Sequence, residues 1–184
     1  PDRIFSDYAY FSSYSSVWLE HCRAYAERMI DAFSLTPDSL VMEIASNDGY
    51  LLQFFAGAGI PVLGIEPAAN VAEVAIGKGV PTRAVFFGAG TASELARGGM
   101  QADLLAANNV LAHVPDLHGF IEGMRIALKP HGIITVEFPH LLELIRHVQF
   151  DTIYHEHFSY LSLGVVEQAF ARHGLAIFRV DRLP

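Results

Sequence analysis

VMEIASNDGYLL, residues 41–52, consists of an apolar run, a short polar turn and the start of a second apolar run. We expect the first run to form a buried strand and the second to begin a helix. Similar short apolar runs alternate along the chain with stretches of helical periodicity, which is typical of parallel βαβ units. The sequence therefore predicts an α/β fold with a doubly wound, mostly parallel sheet.

This alternation predicts six strands and six helices. The strands are expected at 40–44, 62–66, 82–86, 103–107, 132–138 and 175–180. The helices are expected at 16–33, 49–55, 68–76, 91–97, 117–128 and 165–173, with Ser15 or Ser16 capping the first. Residues 139–163 break the pattern and are rich in His, Phe and Tyr, and long irregular segments of this kind often carry function.

Composition indicates one domain. The 184 residues are 52% hydrophobic, which is enough for a sizeable core. We assign residues 1–35 to an aromatic leader with a first helix, and residues 36–184 to a ligand-binding core. Because the chain begins with Pro1 rather than Met, we expect it to be a piece of a longer protein.

Charge and cysteine content exclude several classes of partner. The formal net charge of −8 would repel DNA or RNA, so we expect no nucleic acid partner. No apolar run is long enough to cross a membrane, and the start of the chain lacks the layout of a signal peptide. Cys22 is the single cysteine, which excludes an internal disulfide and fits a cytoplasmic location.

The polar turn after the first predicted strand should face the ligand crevice of an open α/β sheet. A dinucleotide-binding turn would carry several glycines so that the backbone could approach a pyrophosphate. This turn has only Gly49, and the neighbouring Asp48 would repel a pyrophosphate. An acidic turn can instead accept hydrogen bonds from a ligand that carries an ammonium and a sulfonium, so we predict S-adenosylmethionine as the cofactor.

Two other strand ends support this ligand. Glu66 ends the second predicted strand about 20 residues past the turn, where an acid can accept both ribose hydroxyls. Asn108 and Asn109 follow the fourth strand and should lie beside the methionine moiety. The alternatives are a solvated acid at Glu66 and helix caps at the two asparagines.

Five strings of the sequence carry a resemblance to a known family: EIASNDGYLLQFF, GIEPAANVA, ADLLAANNVLAHVPDL, TVEFPH and YHEHFSYLS. They resemble the bacterial C-methyltransferases of deoxysugar pathways, class I enzymes that act on nucleotide-linked 4-keto sugars. The resemblance implies a Rossmann-like sheet, S-adenosylmethionine and a nucleotide-sugar substrate. It also implies a zinc-binding domain before this region, a further domain after it, and a sheet that here lacks its last strand.

We assign cofactor binding to residues of the three strand ends. These are Glu43, Ala45, Ser46, Asn47, Asp48, Gly49, Glu66, Pro67, Asn108 and Asn109.

The segment from Tyr154 to Tyr160 holds the candidate catalytic groups. If it is extended, Tyr154 and Glu156 lie on one face and His155 and His157 on the other, whereas in a turn all could converge. The resemblance favours convergence and implies His157 as the base.

Two further positions match active-site residues of the family, Tyr8 and His113. Tyr154 and Glu156 are implied as helpers of His157. A neutral imidazole would take the proton next to the ketone, Tyr154 would stabilise the enolate, and the carbanion would attack the sulfonium methyl group. This reaction needs no metal ion.

Three alternatives are less favoured. His155 and His157 could bind a metal ion together with Glu156 or His140, as in a hydrolase. The chain could also be a class I methyltransferase that acts on oxygen or nitrogen. Finally, it could be a nucleotide-binding module without catalysis.

Overall fold

The computed structural model of the chain describes residues 11–183. Within this range five parallel strands form one sheet. The strands are β1 (Val41–Ile44), β2 (Val62–Ile65), β3 (Thr82–Arg83), β4 (Ala102–Asn108) and β5 (Leu128–Glu137). Their order in the sheet is β3-β2-β1-β4-β5, so the predicted α/β class and parallel pairing are confirmed.

Helices connect the strands. They are α1 (Ser16–Phe33), α2 (Leu52–Gly57), α3 (Ala69–Gly77), α4 (Ala89–Arg97), α5 (Leu117–Ala127), α6 (Leu141–Arg146) and α7 (Leu163–Ala171). Ser15 is the N-cap of α1, because its side chain accepts a hydrogen bond from the Trp18 backbone amide. Among residues 11–183, no helix combines the length and the apolar composition that crossing a bilayer requires.

The sheet buries both of its faces. Met42 and Ile44 of β1 face a core layer that includes α4, α5 and α7. Val41 faces a second layer that includes α1 and α2, and Glu43 shares that face because side chains alternate along a strand. Burial on both faces explains why the strands are apolar runs rather than alternating sequences.

The strand order reverses beside β1. The chain moves from β1 outward to β2 and β3, then returns to place β4 on the other side of β1. The loops that leave the carboxyl ends of β1 and β4 therefore diverge, and they leave a crevice between them.

Several predicted boundaries change, and one predicted strand is wrong. Residues 175–180 form no strand of the described sheet, although Leu175 and Ile177 pack against the core. Apolar alternation alone does not make a strand, since a ladder also needs a neighbour to receive its hydrogen bonds. The helix predicted from residue 49 begins at Leu52, because residues 47–51 form a turn.

The two-layer core predicts a strong difference between two phenylalanines. Phe55 is fully buried beneath Tyr25, whereas Phe178 is 67% exposed. We expect Phe55→Ala to lower the free energy of unfolding by about 3–5 kcal/mol, since it leaves a cavity. Phe178→Ala should change it far less. Urea denaturation of both variants measures this, and equal losses would contradict the burial described for Phe55.

Candidate active site

A cavity of about 800 Å³ opens at the carboxyl ends of β1, β2 and β4. This is the crevice at which the strand order reverses. Seven of the predicted site residues line it: Ala45, Asn47, Glu66, Pro67, Asn108, Asn109 and His113. The fold therefore brings together residues from three separate loops.

The turn after β1 has an unusual backbone. Ala45, Asn47 and Gly49 have φ angles of 57°, 48° and 79°, all in the left-handed region. Asparagine tolerates this region, but alanine enters it at a cost of about 1–2 kcal/mol. At Gly49 a Cβ would lie 3.0 Å from a Val80 methyl group, so the turn needs a glycine there.

Glu66 joins this turn to the end of β2. Its Oε2 accepts a hydrogen bond from the Asn47 amide at 2.9 Å, and its Oε1 accepts one from the Ala68 amide at 2.9 Å. Burial raises the pKa of Glu66, while these two backbone donors oppose the rise. Each carboxylate oxygen keeps a further lone pair, and Glu66 lines the cavity, so it can accept hydrogen bonds from ligand hydroxyls.

Asp48 does not lie in the cavity wall. Its carboxylate is 2% exposed and pairs with the Lys78 ammonium at 2.8 Å. Ser46, Gly49 and Glu43 are also buried outside the wall. The expectation that Asp48 presents its charge to the ligand therefore differs from the geometry, in which Glu66 presents the carboxylate.

Glu43 is fully buried under the turn. Neither of its carboxylate oxygens meets a donor at hydrogen-bond geometry among the described residues, although the Tyr50 hydroxyl is close enough to lower its pKa. Burial outweighs this effect and, with repulsion from Glu66 and Asp48, raises the pKa of Glu43 well above its ordinary value. The neutral acid is therefore favoured at this position.

The charges in the cavity wall have one sign. Among the described residues that line the cavity, Glu66 and Asp116 are acidic and none is lysine or arginine. A pyrophosphate would meet no cationic side chain here, whereas a ligand with an ammonium and a sulfonium meets a favourable field.

A second feature lies beside the cavity, where residues 154–157 form a turn closed by the bond from the His157 amide to the Tyr154 carbonyl. His157 Nδ1 lies 2.8 Å from the Thr152 carbonyl oxygen, and Nε2 lies 3.0 Å from the Tyr154 hydroxyl. A carbonyl can only accept, so Nδ1 carries a proton, and in the neutral ring Nε2 bears the lone pair. The turned alternative is therefore the one observed, and it holds Nε2 of His157 next to the Tyr154 hydroxyl.

His113 connects this turn to the cavity. Its ring lies 4.7 Å from the ring of His157, and its Nδ1 donates to the Glu156 carbonyl at 3.0 Å. Burial lowers the pKa of His113, and the neighbouring His157 lowers it further. Both effects favour the neutral imidazole of His113, which forms part of the cavity wall beside His157.

The other predicted catalytic residues differ in how they contact the two histidines. Glu156 bonds His113 through its backbone carbonyl, and its carboxylate acts on His113 and Tyr154 only through its charge. Burial, then repulsion from Glu156, raises the pKa of Tyr154, so its hydroxyl stays a donor. Tyr8 lies outside the described residues. Within residues 11–183, no three His, Cys, Asp or Glu side chains are grouped as metal ligands.

Sequence reasoning missed three parts of the site. The Thr152 carbonyl is a backbone group and leaves no signal in the sequence. Trp18 lines the cavity, but its helical spacing indicated only packing. Lys78 pairs with Asp48 across 30 residues, and a lone lysine after a helix does not predict such a contact.

Comparison with known families gives a match over most of the chain. The profile of the family described as "Methyltransferase domain" matches residues 18–180. In three dimensions, the chain is similar to a SAM-dependent methyltransferase from Archaeoglobus fulgidus. The TM-score is 0.67 at 18% identity, over 85% of this chain and 68% of the other.

Two curated proteins are similar in sequence. The C-methyltransferase NovU of Streptomyces niveus is 39% identical over 180 residues, which are 98% of this chain and 43% of NovU. The ubiquinone biosynthesis O-methyltransferase of Bartonella bacilliformis is 30% identical over 109 residues, 58% of this chain and 44% of that protein. The chain thus spans less than half the length of each relative.

The buried Glu43 predicts a pH-dependent stability. Its folded-state pKa is raised, so the folded chain keeps a proton that the unfolded chain releases above about pH 4.5. The free energy of unfolding should therefore fall as the pH rises from the ordinary glutamate pKa toward the folded-state pKa. Glu43→Gln should remove this pH-dependent loss of stability. At the upper end of that pH range, Glu43→Gln should therefore have a higher free energy of unfolding than the wild-type protein.

Urea unfolding across that pH range measures the effect. Glu94 is exposed on α4, and Glu94→Gln is the matched control that should retain the wild-type pH dependence. A wild-type slope in Glu43→Gln would show that the buried carboxyl does not titrate as described.

Proposed function

We propose that this chain, which belongs to the methyltransferase domain family and has the class I S-adenosylmethionine-dependent fold, methylates a carbon atom of a nucleotide-linked 4-keto deoxysugar. The methylated carbon is the one next to the ketone. S-adenosylmethionine is the cofactor, and it supplies a methyl group on a sulfonium, which is an excellent leaving group. The observation that carries the proposal is the orientation of His157, whose Nε2 lone pair is held next to the Tyr154 hydroxyl beside the cavity.

The cavity wall supports the assignment of the cofactor. Glu66 offers its remaining lone pairs to the ribose hydroxyls, and its backbone bonds keep the carboxylate in place. Ala45, Asn47, Asn108 and Asn109 would surround the methionine end. Glu43, Ser46, Asp48 and Gly49 shape the turn from beneath rather than touch the cavity.

The proposed reaction begins with proton transfer to His157. The C–H bond next to the substrate ketone breaks, and its proton goes to Nε2 of the neutral imidazole. The Thr152 carbonyl accepts from Nδ1 throughout and stabilises the positive ring that forms. We assign Glu156 as a further helper, because its backbone carbonyl holds His113 beside the His157 ring.

Tyr154 then acts on the other product of that step. For that step the Tyr154 hydroxyl must first turn from Nε2 to the substrate ketone, which frees the lone pair for the proton and leaves the hydroxyl to donate to the enolate oxygen. Bound S-adenosylmethionine would supply the methyl group of the new C–C bond, with S-adenosylhomocysteine as the leaving group. His113, whose pKa is lowered chiefly by burial, and Tyr8 complete the set of residues that we assign to acceptor binding.

The similarity to NovU supports transfer to carbon, and the shorter match to an O-methyltransferase favours a second candidate, transfer to a hydroxyl oxygen. In that reaction His157 would deprotonate a hydroxyl group, and no C–H bond would break.

We also propose that the reaction takes place in the cytoplasm, which is consistent with the single free, buried Cys22.

Substitution of His157 tests the role of the base. His157→Asn should lower turnover of the whole protein by about 100- to 10,000-fold, the usual contribution of a general base, and leave S-adenosylhomocysteine affinity unchanged. His147 is exposed and directly follows the last residue of α6, and His147→Asn is the matched control. Mass spectrometry of the methylated product measures the turnover of both variants. Equal turnover in the two variants would exclude His157 as the base.

A deuterium label distinguishes the two candidate reactions. With a 4-keto deoxysugar nucleotide labelled at C3, transfer to carbon should give a methylated product that has lost the label to solvent. A methylated product that retains the deuterium would instead establish transfer to a heteroatom.

A further inference from the structure

Residues 11–18, called the strap here, form one side of the cavity. They comprise a 3₁₀ turn at Ser12–Tyr14 and the capped start of α1. Ser12 and Trp18 both line the cavity. The strap therefore closes off space that the loops at the strand ends would otherwise leave open.

Two contacts tie the strap to the turn after β1. The Ser12 amide donates to the Asn47 side-chain oxygen at 2.9 Å. The Lys78 ammonium donates to the Ser13 hydroxyl at 2.9 Å, and it also donates to the Asp48 carboxylate at 2.8 Å and carbonyl at 3.3 Å. The Lys78 ammonium thus bridges the strap and the Asp48 carboxylate, which is 2% exposed.

The far end of the strap rests on β5. The Trp18 ring stacks on His21 at 4.9 Å, and His21 Nε2 lies 3.1 Å from the Glu137 carboxylate at the end of that strand. Trp18 also contacts Tyr50, with ring centroids 5.9 Å apart. The strap is therefore held at its start by polar contacts with Asn47 and Lys78, and at its end by ring contacts of Trp18 with His21 and Tyr50.

We propose that the strap retains the bound cofactor and that Lys78 is the positioning residue that holds it closed. The inference rests on the cofactor half of the proposed function and does not depend on the methyl acceptor. Lys78 is suited to this role because its three donor hydrogens serve the buried Asp48 and the strap at once. Release of S-adenosylhomocysteine then requires the Ser13–Lys78 and Ser12–Asn47 bonds to break.

The release rate of S-adenosylhomocysteine tests the proposal. Trp18 is the only tryptophan of the chain, so its fluorescence reports the cavity directly in a stopped-flow displacement experiment. Ser13→Ala and Lys78→Met should each release S-adenosylhomocysteine about fivefold faster, as expected for one lost hydrogen bond. Lys78→Arg keeps a donor and a positive charge, and it should restore slow release.

A second ion pair supplies the control. Lys129 pairs with Asp103 at 2.6 Å, and its side chain is 37% exposed, as is that of Lys78. This pair lies at the amino end of β4, opposite the cavity, so Lys129→Met should leave the release rate unchanged. Ser13→Ala keeps the Lys78–Asp48 pair intact, and it decides the matter even if Lys78→Met does not fold.

The outcomes separate the strap from the proposed function. Wild-type release rates in Ser13→Ala and Lys78→Met would overturn the strap while leaving cofactor binding intact, and equal acceleration in Lys129→Met would do the same. If the wild-type protein binds no S-adenosylhomocysteine, the cofactor assignment fails and the strap proposal fails with it.

Discussion

The carboxylate of Glu66 holds the site together, because its two oxygens accept from the backbone amides of Asn47 and Ala68. These bonds join the turn after β1 to the start of the segment after β2. They also satisfy two amides that would otherwise be buried without a partner, which would cost about 1–3 kcal/mol each. The left-handed conformations of Ala45 and Asn47 persist because this carboxylate and the sheet fix the backbone around them.

The arrangement of charges around that turn explains which ligand suits the cavity. Lys78 neutralises Asp48, and burial favours the neutral form of Glu43. Glu66 and Asp116 remain as the acidic groups of the described wall. A donor with a sulfonium, an ammonium and a ribose diol matches such a wall, whereas the pyrophosphate of a dinucleotide would need glycines or cations in the same place.

The histidines form a second unit that the cavity wall supports. The amides of Phe158 and Ser159 both point to the Ala112 carbonyl, which docks the irregular segment beside His113. Docking places the His157 ring against His113, and the Thr152 carbonyl sets its tautomer. The histidine that we propose as the base is thus oriented by a backbone carbonyl, the role that a carboxylate serves in many catalytic triads. A backbone acceptor holds the ring without a second full charge in the site.

The sequence by itself determined the alternation of strands and helices and the polar strand ends, because each depends on residues a few positions apart. It failed for residues 175–180, whose apolar alternation finds no strand to pair with in the described sheet. Only the tertiary structure decided that Glu66 rather than Asp48 faces the cavity, and that Lys78 and Asn47 hold the strap. Those contacts join residues 19 to 65 positions apart, and the direction of each side chain is set by packing and burial that local periodicity does not encode.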